Sequence, residues 1–209
     1  MEQQFQYYAF ISYKREDEKW AKWLQDRLRW YKLPSKLCRQ ITRLPKKVWP
    51  VFRDNTDLDS GRLEENIRHE LGRSHYLIVI CSPEAARSPW VGKEVKYFAT
   101  LHGADKIIPF VVSGIPYSND IETECIHEQI KAISQEELLA INVREEGIGS
   151  FAMKKKRAFI RVVARLLDIK FNTLWQPYER ILRIRKWSTG IGVVFILIRF
   201  IHLVGLLPD

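Results

Sequence analysis

Trp90 and Glu94 stand four residues apart in a stretch of helical periodicity, so an indole and a carboxylate share one helix face, with Trp90 a turn nearer the helix start. An aromatic plane beside a carboxylate suits a planar, cationic substrate. Other polar residues gather just after apolar runs: Ser12, Tyr13, Lys14 and Arg15 after the first, Arg53, Asp54, Asp57, Asp59 and Gly61 after the second, Ser82 after the third. If those runs are parallel strands, these positions lie beyond the strands' carboxyl ends, where ligands bind in open α/β sheets. Six of these residues have a structural alternative. Trp90 can serve as core, Ser12 and Tyr13 as caps of the next helix, Arg53 and Asp54 as a local ion pair, and Glu94 as a solvated carboxylate.

The elements that must position these residues follow from periodicity. A strand over 7–12 precedes a helix over 16–30, with Trp20, Trp23, Leu24 and Leu28 at helical spacing. After a basic loop punctuated by Pro34, Pro45 and Pro50 come a strand over 48–52, a turn-rich stretch over 54–61 and a helix over 63–73. Residues 76–81 are continuously apolar, as a strand covered on both faces must be. Ser88-Pro89 supplies an N-cap and an N1 proline for a helix running to 101. Strands over 107–112 and 138–143 and an amphipathic helix over 151–167 complete the order. Strand and helix alternating in this way predict an α/β fold: a flavodoxin-like, five-stranded parallel sheet with helices on both faces.

Length and charge set the frame. The 209 residues make one domain plus extra length, and 46% hydrophobic residues suffice for a packed core. The formal charge of +9 suggests a polyanionic partner. Much of it falls in 154–157 and 180–186, the latter just ahead of an almost wholly apolar run over 188–207. That placement favours an anionic membrane surface over nucleic acid. The expected domains are 1–168 for the α/β unit, 169–187 for a basic amphipathic linker helix, and 188–207 for a membrane helix. On the last, Ser188, Gly192, Arg199 and His202 share one face, suited to association between tails. An interfacial helix or a buried oligomer contact is the alternative.

Other signals point away from common chemistries. Cys38, Cys81 and Cys125 are odd in number and form no C-x-x-C pair, which fits a reduced cytoplasmic setting. The first residues lack the basic and apolar regions of a secretory signal, so none is expected. Gly147-Ile148-Gly149-Ser150-Phe151-Ala152 fits G-x-G-x-x-A but follows the last strand, and reads as a turn. The histidines show no metal-ligand spacing, and neither a P-loop nor a G-x-S-x-G elbow occurs, so no metal is expected.

The sequence resembles the TIR (Toll/interleukin-1 receptor/resistance) domains over about residues 5–168. The resemblance rests on Phe10-Ile11-Ser12-Tyr13-Lys14-Arg15, on Val51-Phe52-Arg53-Asp54 with the loop to Gly61, and on Ser88-Pro89-Trp90-Val91-Gly92-Lys93-Glu94, in that order on the predicted strand ends. It is nearest to the bacterial NAD-cleaving, anti-phage type. That implies Glu94 as the glutamate engaging the nicotinamide ribose and Trp90 as the aromatic beside the nicotinamide. It implies Lys14 and Arg15 as a basic pair near the substrate, Asp54 as the second-strand end, and the stretch from Asp57 to Gly61 as the flexible loop that gates the site and helps assembly. NAD+ is then substrate and no separate cofactor is needed.

The chemistry agrees with what the resemblance implies. Cleaving the N-glycosidic bond of NAD+ releases neutral nicotinamide and leaves an oxocarbenium-like ribose, so one carboxylate beside that ribose suffices. Lys14 and Arg15 can offset the pyrophosphate charge. The function expected is an NAD+ nucleosidase that hydrolyses, cyclises or conjugates ADP-ribose in anti-phage defence. It either produces a signal for a downstream effector, as in Thoeris-type systems, or depletes NAD+ itself. Self-association through the TIR domain and tail, and a cytoplasmic domain anchored at the inner membrane, complete the expectation. A non-enzymatic scaffold and a membrane-disrupting effector are the alternatives.

Overall fold

The computed structural model describes residues 5–41, 44–45, 47–53, 60–133, 139–144 and 149–176. β1 (Tyr7–Ser12) runs into a 3-10 turn at Arg15–Asp17 and then α1 (Glu18–Trp30). α2 (Ser35–Gln40) precedes β2 (Val51–Arg53), and α3 (Ser60–Gly72) leads into β3 (Ser74–Cys81). α4 (Pro83–Ala86) and α5 (Pro89–His102) follow, then β4 (Ile107–Val111) and α6 (Glu128–Ile133). β5 (Ile141–Asn142) and α7 (Phe151–Leu166) close the unit.

The strands pair in parallel in the order β2-β1-β3-β4-β5, the flavodoxin-like order. β3 lies in the middle because its uninterrupted apolar sequence needs cover on both faces. Strand alternation sends Leu77, Val79 and Cys81 to one face, where they pack with Phe10, Leu71, Val95 and Phe98 beneath α3 and α5. On the other face Phe110 of β4 meets Trp20 and Trp23 of α1. The chain passes from β1 to one side of the sheet and returns to the other side of β1 as β3. The switch point, the place where open α/β sheets bind ligands, therefore lies between the carboxyl ends of β1 and β3. Ser12 is in register with Val79 there, and Ser82 is the first residue past β3.

Several boundaries differ from the sequence expectation for identifiable reasons. β2 is three residues long and starts after Pro50, which has no N–H to give a sheet ladder. β5 pairs only Ile141 and Asn142 with β4, and the short helix α6 has too few apolar positions to display a period. α5 extends to His102 and is ended by Gly103, whose φ of +89° is open to glycine at little steric cost.

The chain divides into two compact units, Met1–Asp168 and Ile169–Asp209. Of the second, residues 171–176 are helical and the rings of Phe171 and Trp175 stack at 5.6 Å. Most of the expected linker helix and all of the apolar run over 188–207 lie outside the described residues. Among the described residues no helix is long and apolar enough to cross a membrane.

Candidate active site

Glu94 sits in the second turn of α5, held against the sheet by the helix's apolar face of Val91, Val95 and Phe98. It is only 5% exposed, and burying a carboxylate is costly unless a donor meets it. Ser12 supplies that donor: its Oγ, at the end of β1, donates to Glu94 Oε2 at 2.5 Å. The bond joins the carboxyl end of β1 to the helix that follows β3.

The mirror arrangement occurs beside it. Ser82, at the end of β3, donates to Oδ2 of Asp17, a buried carboxylate from the turn after β1, also at 2.5 Å. Ser82 Oγ also accepts from the Ala85 N–H, capping α4. Burial raises the proton affinity of Asp17, the Ser82 hydrogen bond opposes that rise, and Glu84 and Glu16 add to it. Both sides of the Ser82 hydroxyl are thus engaged within the fold.

Beside Glu94 lies a hollow of roughly 30 Å³, lined among the described residues by Ile67, Arg68 and Leu71 of α3 and Trp90, Lys93 and Tyr97 of α5. Two cations stand over its aromatic rings: Lys93 Nζ is 5.4 Å from the Trp90 ring centre, and the Arg68 guanidinium 5.5 Å from that of Tyr97. Trp90 is half-buried and packs against the core. The hollow has room for about one water molecule, so a nucleotide requires it to open.

Arg53 and Tyr13 meet at the end of β2. Arg53 Nη1 donates to Tyr13 Oη at 3.0 Å and to Glu18 Oε1 at 3.2 Å, while Nε donates to Gln25 Oε1 at 3.1 Å. These bonds staple the end of β2 to α1, so Arg53 is engaged by the scaffold. Lys14 is half-buried and Arg15 exposed, flanking the start of the 3-10 turn. Gly61 lies in the first turn of α3. Asp54, Asp57 and Asp59 lie outside the described residues. Among the described residues no cluster of three or more metal-ligating side chains occurs. Sequence reasoning did not single out Asp17, Arg68, Lys93 or Tyr97. Lys93 and Tyr97 share the Trp90–Glu94 helix face by spacing alone, whereas Arg68 and Asp17 reach their neighbours only through the fold.

Comparison with known proteins identifies relatives of this architecture. The sequence model of the family described as "TIR domain" matches residues 9–146. Over 110 residues, 52% of this chain, the sequence is 36% identical to "NAD(+) hydrolase ApTIR" of an Actinoplanes species. The match spans 14% of that protein's length, so the relative is far longer. Among solved structures, the TIR domains of the activated Roq1 resistosome, which directly recognises the pathogen effector XopQ, superpose with a TM-score of 0.49 at 14% identity. That alignment covers 74% of this chain and 98% of the other.

Proposed function

The chain belongs to the TIR domain family, and from that premise we propose that it cleaves the nicotinamide–ribose bond of NAD+ with Glu94 as the catalytic residue. The observation that carries the reading is the Ser12–Glu94 bond: a carboxylate buried at the switch point of a parallel sheet, one oxygen fixed by a strand-end hydroxyl, with Trp90 a turn away. The similarity to a protein named as an NAD(+) hydrolase supports it.

In the proposed reaction the C1′–N bond breaks with its electron pair passing to the pyridinium nitrogen, so nicotinamide leaves neutral. Positive charge develops on the ribose, where the fixed carboxylate of Glu94 stabilises it without reorganising. Trp90 offers a face to the nicotinamide, and Lys14 and Arg15 offset the pyrophosphate. Attack by water at C1′, with loss of its proton, gives ADP-ribose. Attack by an atom of the same nucleotide gives a cyclic product, and attack by another nucleophile gives a conjugate. We place the protein in anti-phage defence on this chemistry, as a source of such a signal or as a consumer of NAD+. Self-association, a cytoplasmic domain and membrane anchoring through 188–207 belong to the same proposal. Fractionation of cells carrying the full chain and a chain ending at Asp168 tests the anchor: equal distribution of the two would remove it.

A second reading, a non-enzymatic scaffold, draws on the small volume of the hollow at Glu94. Mass spectrometry of NAD+ incubated with the concentrated full chain separates the two. Nicotinamide with an ADP-ribose-derived product supports the enzyme and identifies the nucleophile; unchanged NAD+ across concentrations that assemble the protein supports the scaffold.

A further inference from the structure

We propose that His127 is a positioning residue for Trp90 and Glu94: its neutral imidazole clamps the first turn of α5, and its protonation releases that turn. The proposal rests on the NAD+-cleaving reading of Glu94. His127 lies just before α6 and is 7% exposed. Its Nδ1 faces the backbone N–H of Gln129 at 3.0 Å, and its Nε2 faces the carbonyl oxygen of Ser88 at 3.1 Å. A backbone N–H can only donate and a carbonyl can only accept, so the tautomer is fixed by its partners: Nδ1 accepts and Nε2–H donates.

The Nε2 contact bears on the start of α5, and the Nδ1 contact ties the ring to the first turn of α6. Ser88 is the N-cap of α5, with its side chain accepting from the Val91 N–H and its carbonyl accepting from the Gly92 N–H. The imidazole fills the space over Gly92, between Trp90 and Glu94 in the chain. A Cβ at Gly92 would come within 2.5 Å of His127 Cε1 and 2.8 Å of Nε2. The ring and the missing side chain thus fit one another, and the fit sets where the first turn of α5 rests.

Protonation breaks this arrangement in two ways. A proton on Nδ1 confronts the Gln129 N–H, donor against donor, and the imidazolium lies at the positive end of the α5 dipole. Burial pushes the ring's proton affinity down, against opposing contributions from the Ser88 carbonyl and Glu128. A groove of roughly 630 Å³ gives protons access, and its charged groups are Arg87, Lys93, Lys96 and Lys131 against Glu124 and Glu128. Glu124 is already held by Lys131 and by the N–H groups of Tyr117 and Ile126. Burial, against the opposing pull of Glu128, is what disfavours the imidazolium.

The test follows NAD+ cleavage by the full chain from about pH 7.5 to about pH 5 alongside NMR of the His127 ring and the backbone amides of Ser88, Val91 and Glu94. The wild type is expected to lose kcat/KM by about tenfold or more on the acid side, with the midpoint of the His127 titration, below 6.5, and with those amides shifting in step. His127→Gln keeps an N–H donor and does not titrate; it is expected to lose that acid limb and the amide shifts while retaining its circular dichroism. An acid limb retained in His127→Gln, or amides silent while His127 titrates, would overturn the proposal. His127→Asn, which keeps the acceptor instead, guards against a folding defect in the Gln variant and carries the same expectation. Amides that follow His127 in a wild type turning over no NAD+ at any pH would retire the cleavage reading and retain the clamp.

Discussion

Ser12 and Glu94, 82 residues apart in the chain, share a 2.5 Å hydrogen bond across the switch point of the sheet. Ser82 and Asp17 repeat the relationship with the strands exchanged, β3 supplying the serine and the turn after β1 the carboxylate. Each strand end therefore holds an acidic side chain from the segment that follows the other strand. The pairing ties the two sides of the switch point together and leaves Glu94 fixed at its edge.

Ser12→Ala removes the donor and leaves the buried Glu94 oxygen without it. The expected cost is about 1–3 kcal/mol of stability, measured by urea unfolding, together with a fall in NAD+ cleavage. Unchanged stability would mean that the bond contributes nothing to holding the carboxylate.

Ser82→Ala removes both a helix cap and the partner of Asp17. A loss of about 1–3 kcal/mol is expected, with less effect on cleavage than Ser12→Ala has at equal stability. The double variant Ser82→Ala with Asp17→Asn should recover part of the loss, since the orphaned charge is gone.

Gly92→Ala places a methyl group within 2.5 Å of the His127 ring. Overpacking of this kind costs about 1–3 kcal/mol, and the thermal midpoint should fall accordingly. Combining it with His127→Ala should restore part of that loss, because the clash partner is absent.

Stability should decline on mild acidification. Burial lowers the proton affinity of His75, His102 and His127 in the fold, aided at His75 by Lys106. Below 6.5 the unfolded chain then binds more protons than the folded one, so this contribution is complete above 6.5 and is lost as pH falls through the lowered folded values. Asp17 has the opposite sign: its raised value favours the fold as pH falls towards 3.8. Thermal midpoints measured from about pH 7.5 to about pH 5.5 should fall on acidification, with a shallower slope in His127→Gln.

Much of the scaffold was legible from local pattern. The apolar run of β3, the Ser88-Pro89 start of α5 and the Trp90–Glu94 spacing each act within a few residues, and periodicity reads them directly. β2 and β5 are expected from the sequence but with other bounds, whereas α6 is too short to show a period and depends on its neighbours. The same holds for the site's polar partners. Sequence reading brought Ser12, Ser82, Arg53 and Glu94 to the strand ends, but not the bonds that divide their roles. Ser82 and Asp17 are 65 residues apart, Arg53 and Gln25 are 28 apart, and His127 and Ser88 are 39 apart. Only the assembled fold brings such residues together, so spacing carries no trace of them.

The most direct measurement is nicotinamide release from NAD+ by the purified full chain, wild type against Glu94→Gln, which keeps an acceptor for Ser12 but removes the charge. The account predicts release by the wild type and a fall of about 100-fold or more in the variant at an unchanged thermal midpoint. Equal release by the two proteins would contradict it.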